Sequence, residues 1–335
     1  MDLSIIVPVY NVEKYVRTCI ESLFRQDLNE DRFEVIIVND GSTDHSMEMI
    51  ADIIQQHKNI SVINQENLSL SVARNNGIAK ATGEYILMPD SDDLLIEDSV
   101  KPLLDKALQT KVDLLVAEFL VFEDKNMSQF KKEVQKEFSI HEKTGQQLFL
   151  EDLNPHQCYV WRTLYRNEFL RKNHISFIRG INYQDVPFTH ECYLKAQRCL
   201  KTSCFIYLYR KNRPGAATTA FSVEKSRSYC KAMSATWNLR QIADLSPSAL
   251  FKLEEDVFKS FSWMIYHTIY KLRERKDRNR VVDILKSEAS QLYFTHGTRQ
   301  KFTSFMLRHM PYLFFEFYYL YGLIIYRKIW KIWKK

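Results

Sequence analysis

Apolar residues fall in short runs between turns in the first third of the chain and in longer, helix-spaced stripes in the last third. Leu3 to Val9 is apolar nearly throughout, as expected of a strand covered by helices on both faces, and Pro8 marks its end. A helix is expected from about Val12 to Gln26, with Val16, Ile20, Leu23 and Phe24 on one face. Phe33 to Val38 reads as a second strand, Asn39 to Asp44 as a loop rich in helix N-caps, and a helix then runs to about His57. Ile60 to Ile63 is a short third strand, Ser71 to Ala81 a helix stopped by Gly83, and Tyr85 to Met88 a fourth strand. An acidic turn, a helix to about Thr110 and a strand from Val112 to Phe122 complete the series.

This alternation of strand and helix predicts an α/β fold, a doubly wound and mostly parallel sheet. Ligands bind such sheets beyond the carboxyl ends of the strands, and Asn11, Asp40 and Asp90 all follow strand ends. Glu123 to Glu142 is charged and weakly patterned, a surface excursion or a mobile hairpin. Trp161 to Arg171 reads as helical, as does Phe188 to Ala196. Cys204 to Tyr209 reads as a strand and Arg210 to Thr219 as a Pro/Gly-bearing loop. From Ser222 onward the pattern is helical.

The turn Met88-Pro89-Asp90-Ser91-Asp92-Asp93 carries three carboxylates within four residues. Such crowding beside a buried strand suits a hard divalent cation. A solvated acidic bend leading to a helix capped near Asp98 or Ser99 is the alternative, and on this segment alone both stand.

Composition narrows the class. The chain has 335 residues, 45% of them hydrophobic, which makes it a folded protein of one large or two ordinary domains. The net charge of +6 is mild but uneven: Arg327, Lys328, Lys331, Lys334 and Lys335 crowd the last nine residues, a basic end suited to an acidic surface. None of the six cysteines forms a C-x-x-C pair, so neither a zinc nor a dithiol site is expected, and Cys19 reads as a small core residue. His156, His174, His190 and His267 lack metal-ligand spacing and read as structural or surface residues. No basic segment precedes an apolar core at the N-terminus, so the expected location is the cytosol.

Four segments in order, Ser4-Ile5-Ile6-Val7-Pro8-Val9-Tyr10-Asn11, Val38-Asn39-Asp40-Gly41-Ser42-Thr43-Asp44, Glu66-Asn67 with Ala73-Arg74-Asn75-Asn76-Gly77, and Asp90-Ser91-Asp92-Asp93, resemble the motifs of family-2 glycosyltransferases of the GT-A fold. The last stands where that family carries its D-x-D metal motif. The close resemblance covers roughly the first third of the chain. A looser one, similar to the acceptor half of bacterial polysaccharide glycosyltransferases, runs through Trp161 to Arg166, Tyr183-Gln184-Asp185, Tyr209-Arg210 and Arg213-Pro214-Gly215. Ser69 stands where the family often has Gly, which a loop is expected to tolerate. Gln184 stands where it usually has Glu, which removes a carboxylate beside the expected base.

The resemblance implies a nucleotide-sugar-binding half over 1–122 and an acceptor-binding half of the same domain over 123–220; the residue pattern beyond it adds a helical C-terminal region over 221–309 and an amphipathic basic tail over 310–335. The resemblance also implies transfer of a hexose from a nucleoside-diphosphate sugar, a UDP-sugar above all, to a hydroxyl of a glycan or lipid-linked acceptor. In that scheme Asp92 holds Mn²⁺ or Mg²⁺, Asp90 contacts the ribose or the metal shell, and Asp93 supports the loop. Asp40 accepts the imide N–H of the base, Pro8, Val9 and Tyr10 wall the base pocket, and Asn67 and Arg74 complete the nucleotide site. Arg210 and Arg213 meet the diphosphate from a closing loop. Asp185 is the general base of a single displacement with inversion.

Read without the family, Asp40 and Asp185 are also good helix N-caps, Arg74 a salt-bridge partner, and Arg210 and Arg213 part of a solvated loop. A nucleotidyltransferase would usually show a Gly-rich phosphate loop after the first strand, which Pro8 to Asn11 lacks. A receiver-type domain leaves Asn67 and Arg74 unexplained. A catalytically impaired nucleotide-sugar-binding module stays open because of Gln184.

Met310 to Tyr326 is nearly all apolar or aromatic, broken by Glu316, and a little shorter than the ~20 residues of a membrane span. At about 100° per residue, Ile325, Tyr326, Ile329, Trp330, Ile332 and Trp333 share one arc, and the five basic residues, with Glu316, the other. The pattern predicts a helix lying in a membrane interface, which places the protein at the inner face of the cell membrane with no nucleic-acid partner. A core-packing helix with a solvated basic end is the alternative, and a single-span anchor a third.

Overall fold

The computed structural model describes residues 1–124, 137–155, 157–212 and 222–321. The chain divides into two compact units, Met1–Gly180 with Phe188–Ala216, and Ile181–Pro187 with Ala217–Lys335.

The first unit is built on a single sheet. Its strands among the described residues are β1 (Leu3–Val9), β2 (Phe33–Asn39), β3 (Ile60–Asn64), β4 (Tyr85–Leu87), β5 (Leu94–Leu95), β6 (Leu114–Phe122), β7 (Ile140–Lys143), β8 (Thr163–Arg166) and β9 (Cys199–Arg210). They lie in the order β3-β2-β1-β4-β8-β6-β9-β5, with β7 beside β9. Parallel ladders, β1 with β2 and β4, β2 with β3, and β6 with β9, hold most of the paired residues. β5, β7 and β8 enter antiparallel. The expected mostly parallel α/β sheet is present, and strand order reverses between β1 and β4, where such sheets open a crevice.

Helices α1 (Val16–Leu23), α2 (Ala51–Gln56), α3 (Leu70–Lys80), α4 (Val100–Thr110), α5 (Gly145–Glu151), α6 (Asn167–Lys172) and α7 (Asp185–Lys195) complete this part of the chain. Leu3, Ile5, Val7 and Val9 of β1 bury one face against Val16, Ile20 and Leu23 of α1 and Leu103 and Leu104 of α4. Ile6 points to the other face, under α3: a Cβ on Gly77 would stand 2.2 Å from its Cγ2.

Several boundaries differ from expectation. β1 keeps its expected bounds, Leu3–Val9, with Pro8 paired to Val38 inside it; the proline is accepted because the β4 ladder stops at Ile5, leaving a neighbour on one side only. The first helix starts at Val16 instead of Val12, because Ser46 Oγ and the Asp44 carboxylate take the N–H groups of Val12 and Glu13 at 2.8 and 3.0 Å. Trp161 to Arg171 is not one helix: a 3-10 turn (Val160–Arg162) leads into β8, and α6 begins only at Asn167. Leu164 and Tyr165 lie in the strand that pairs with both β4 and β6, and those sheet bonds override the local helical pattern. β9 begins at Cys199, five residues early, because it pairs along β6 and β7. The charged stretch after Phe122 ends in β7, and its residues 125–136 lie outside the described ones.

The second unit is helical: α8 (Val223–Asn238), α9 (Pro247–Lys271), α10 (Arg275–Glu288) and α11 (Gly297–His309), with residues 311–321 also helical. Ser222 and Ser246 cap α8 and α9 by accepting the N–H groups of Lys225 and Ala249. Trp237, Phe261, Met264, Phe294, Phe314 and Phe315 belong to its core. The first turns of the expected tail are therefore core-packed on one side, and Glu316, expected on the solvated arc, pairs with buried Arg278 at 3.0 Å. Residues 322–335, with Trp330, Trp333 and the five basic residues, lie outside the described ones. No helix among the described residues is long and apolar enough to cross a membrane.

Gly77→Ala forces its new methyl into the β-branched Ile6 side chain, which is fully buried and has no room to turn. It is expected to destabilise the first unit by about 1–3 kcal/mol, read as a lower midpoint in urea with an unchanged slope.

Candidate functional site

The parallel register brings three strand ends level: Val9 pairs with Asn39, and Asn39 with Asn64. Asp40 follows directly, its N–H donating to the Val9 carbonyl at 2.9 Å. Its carboxylate is buried and caps no helix. Oδ1 accepts from Gln65 Nε2 at 2.7 Å and the Leu68 N–H at 2.8 Å, and Oδ2 from the Ser69 N–H at 3.1 Å. Asp40 thus clamps the β3–α3 loop and keeps capacity on Oδ2 for one more donor. Gly41 has φ +72°, and a Cβ there would meet the Asn67 nitrogen at 2.9 Å, so glycine lets the two loops close together. Pro8 and Val9 are buried, while Tyr10 and Asn67 are exposed at this rim.

Ser69 bears on the same clamp. It precedes α3 with φ +95° and ψ 156°, a region that only glycine enters without strain, and its Oγ is buried with no hydrogen-bond partner among the described residues. The loop accepts a serine here because Asp40 holds its N–H and the Val72 and Ala73 N–H groups hold its carbonyl, both at 3.0 Å.

The acidic turn lies between β4 and β5. β5 is clipped antiparallel to β9, Leu94 to Leu208 and Leu95 to Tyr207, which draws the turn against that strand. The Tyr207 hydroxyl accepts from the Asp90 N–H and donates to Asp93 Oδ2, both at 2.9 Å. The Arg210 N–H donates to Asp93 Oδ1 at 2.7 Å, and Arg210 Nε donates to the Asp92 carbonyl at 2.6 Å. Arg74, 2% exposed, donates from Nη2 to Asp90 Oδ1 at 2.6 Å. Its Nε is buried with no hydrogen-bond partner among the described residues, and Phe177 lies 5.4 Å from the guanidinium.

Negative charge dominates the turn. Burial, then the charges of Asp92 and Asp90, push the Asp93 carboxyl well above the usual carboxylate range, against the pull of its two donors. Burial lowers the Arg210 guanidinium, and Asp93 and Asp92 oppose that shift. Cys19 donates to the Asp90 carbonyl at 3.5 Å; burial first, then the three carboxylates, raise its thiol far up, so it stays a protonated core residue. Asp93 is turned inward, while Asp90 and Asp92 are partly exposed. This all-oxygen donor set is of the kind that fits a hard divalent cation such as Mg²⁺ or Mn²⁺, and Asp92 and Asp90 are the residues that could hold one. No group of three or more His, Cys, Asp or Glu is arranged for a metal among the described residues, so such an ion would complete its shell with water or substrate oxygens.

Arg210, expected on the diphosphate, instead ties the turn down. Its guanidinium also pairs with Asp124 and lies over the rings of Tyr15 and Phe122 at 4.8 and 4.7 Å. Arg213 lies outside the described residues. The sequence alone marks neither Tyr207 nor Gln65, and it gives Trp161 no role beyond its family motif; that ring stacks on Tyr207 at 4.0 Å. A tyrosine in an alternating strand was the only available signal, and it stands 117 positions from Asp90.

Asp185 belongs to the second unit and opens α7, partly exposed. Tyr183 has φ +59° and packs its ring against Tyr229 at 4.6 Å, edge to face. Burial, then the charge of Asp185, raise its phenol. Gln184 is buried, and its Oε1 has no hydrogen-bond partner among the described residues. His174 is exposed, His190 is buried beside Cys158, and His267 lies against Trp263; His156 lies outside the described residues.

A family model described as Glycosyl transferase family 2 matches residues 4–172. The uncharacterized glycosyltransferase EpsJ of Bacillus subtilis is 35% identical over 216 residues, 63% of this chain and 61% of that relative. The match thus spans about three fifths of EpsJ's own length. Glycosyltransferase GlyG of Streptococcus pneumoniae is 26% identical over 286 residues, 82% of this chain and 93% of GlyG. Among solved structures, Staphylococcus aureus TarS 1–349 in complex with UDP-GlcNAc has a TM-score of 0.65 at 23% identity, covering 87% of this chain and 83% of that one, a likeness of fold.

Ser69→Gly removes the strain at φ +95° and leaves every bond of the clamp in place. The gain, less the added freedom of the unfolded chain, is expected to be about 1 kcal/mol, or roughly 2–4 °C in Tm. A lower Tm would show that the serine is held without strain.

Proposed function

This chain belongs to glycosyl transferase family 2, and on that premise we propose that it moves a hexose-type sugar from a UDP-sugar to a hydroxyl of a glycan or lipid-linked acceptor in cell-surface polysaccharide synthesis. The observation that carries the reading is the acidic turn: three carboxylates at the switch point of the sheet, fastened by Arg74, Tyr207 and Arg210. The TarS complex with UDP-GlcNAc supports the choice of donor class.

In this reading the spare capacity of Asp40 Oδ2 takes the imide N–H of the base, between walls made by Pro8, Val9 and Tyr10 and with Asn67 at the rim. Arg74 fixes Asp90 toward the ribose. Asp92 and Asp90 would hold a divalent cation, which would supply a Lewis acid for the charge that builds on the departing diphosphate. Asp185 takes the proton of the acceptor hydroxyl as its oxygen attacks the anomeric carbon, a single displacement with inversion. The protein works at an anionic membrane surface on the cytoplasmic side, in keeping with its basic end.

Gln184 favours a second reading, a nucleotide-sugar-binding module with impaired turnover. An amide at this buried position cannot add a negative charge beside Asp185. Donor binding without transfer to any acceptor would select that reading.

Asp185→Asn keeps the shape and removes the proton acceptor. The expected result is a kcat lower by roughly 10²–10⁴-fold with UDP binding nearly unchanged, and a near-normal kcat places the base elsewhere.

Asp92→Ala and excess chelator are each expected to abolish transfer, with Mn²⁺ or Mg²⁺ restoring the chelated parent only. Full turnover in chelator removes the metal from the scheme.

A further inference from the structure

The helix over 311–321 is apolar on both sides. Its inner side packs Phe314 and Phe315 into the core of the second unit. Its outer side carries Leu313, Phe317, Leu320 and Tyr321, which are 58, 57, 58 and 54% exposed. These positions follow the i, i+4, i+7, i+8 spacing of one helical face, and Phe317 stacks on Tyr321. α11, immediately before it, adds exposed Phe302 and Phe305 one turn apart. Single exposed apolar residues need no explanation, but a row of large ones on consecutive helices does.

The charges around this row identify its cover. Between Gly297 and Lys335 the sequence has eight Lys or Arg and one acid, Glu316. Glu316 is engaged by Arg278, so the exposed charges carried by 297–321 itself are those of Arg299, Lys301 and Arg308, all cationic; beside them, exposed Asp283 of α10 accepts from the Tyr312 hydroxyl and Lys286 lies over the Tyr312 ring. A second copy of the chain meeting this face across a two-fold axis would set cations against cations. A bilayer with anionic headgroups instead accepts the apolar row below the headgroup boundary and the cations at it.

We propose that the outer face of residues 311–321, with Phe302 and Phe305 of α11, is the surface by which this protein seats on an anionic membrane. The proposal rests on the membrane-surface reading above and moves the inserted element from the far end of the chain into the folded helical unit.

The test uses the full chain and vesicles of phosphatidylglycerol and phosphatidylcholine, beside vesicles of phosphatidylcholine alone. The triple variant Leu313→Gln, Phe317→Gln, Leu320→Gln alters only exposed side chains and no charge. It is expected to lower co-sedimentation with anionic vesicles by roughly tenfold or more, with UDP binding unchanged. Lys301→Gln with Arg308→Gln is expected to weaken binding at low salt and little at high salt. Should the triple variant misfold, Phe317→Trp alone is expected to show indole quenching by brominated lipid beyond that of the parent. A parent that ignores anionic vesicles removes the membrane reading itself and this proposal with it. A parent that binds and a triple variant that binds equally well overturn only the assigned face. So does a Phe317→Trp variant whose added indole fluorescence brominated lipid leaves untouched. A triple variant that changes the sedimentation-equilibrium mass but still binds vesicles shows that the face joins two copies, which also overturns the proposal.

Discussion

Everything at the carboxyl edge of the sheet answers to the repulsion among Asp90, Asp92 and Asp93. Carboxylates this close, one of them buried, must be held by donors or matched by positive charge. The fold supplies both. Arg74 reaches Asp90 from α3, the Tyr207 hydroxyl bridges Asp90 and Asp93, and Arg210 contributes its N–H and its guanidinium. The two-residue strand β5 has its reason here: it pins the turn to β9, so the donors arrive at hydrogen-bond distance. Arg210 illustrates the consequence for assignment. A guanidinium committed to the Asp92 carbonyl and Asp124 serves first to fasten the turn.

Asp40 plays the corresponding part at the other rim. Its carboxylate organises the β3–α3 loop through three donors, and this clamp holds Ser69 in a backbone conformation that suits glycine. The helical unit treats Tyr183 similarly: a left-handed residue next to Asp185 is fixed by packing its ring on Tyr229. In each case strain next to a candidate site residue is held by interactions that the neighbouring loop cannot make alone.

The parallel half of the fold was readable because β1, β2 and β4 are short apolar runs whose ends carry Asn11, Asp40 and Asp90. Burial on both faces leaves that imprint wherever it occurs. β8 was not readable. Trp161 to Arg171 looks helical by spacing, and only the gap between β4 and β6 makes Thr163–Arg166 a strand. Tyr207 was hidden for a related reason, since its role depends on the register of β5 against β9 and not on its neighbours in the chain. The end of the chain was read as one amphipathic element. Phe314, Phe315 and Glu316 show that its first turns serve the core, a distinction that depends on Arg278 far upstream.

The bracing of the acidic turn from β9 has a consequence for how the protein is made. Asp90 leaves the ribosome 117 residues before Tyr207, so β1 to β4 can pair while their acidic turn still lacks its hydroxyl bridge and both Arg210 contacts. During that interval Asp90 can already meet Arg74, while Asp93 still lacks both of its donors, the Tyr207 hydroxyl and the Arg210 N–H. Synthesis of β9 brings the missing donors as the strand pairs with β6 and β5. The residues that brace the acidic turn thereby record that the first unit has been completed.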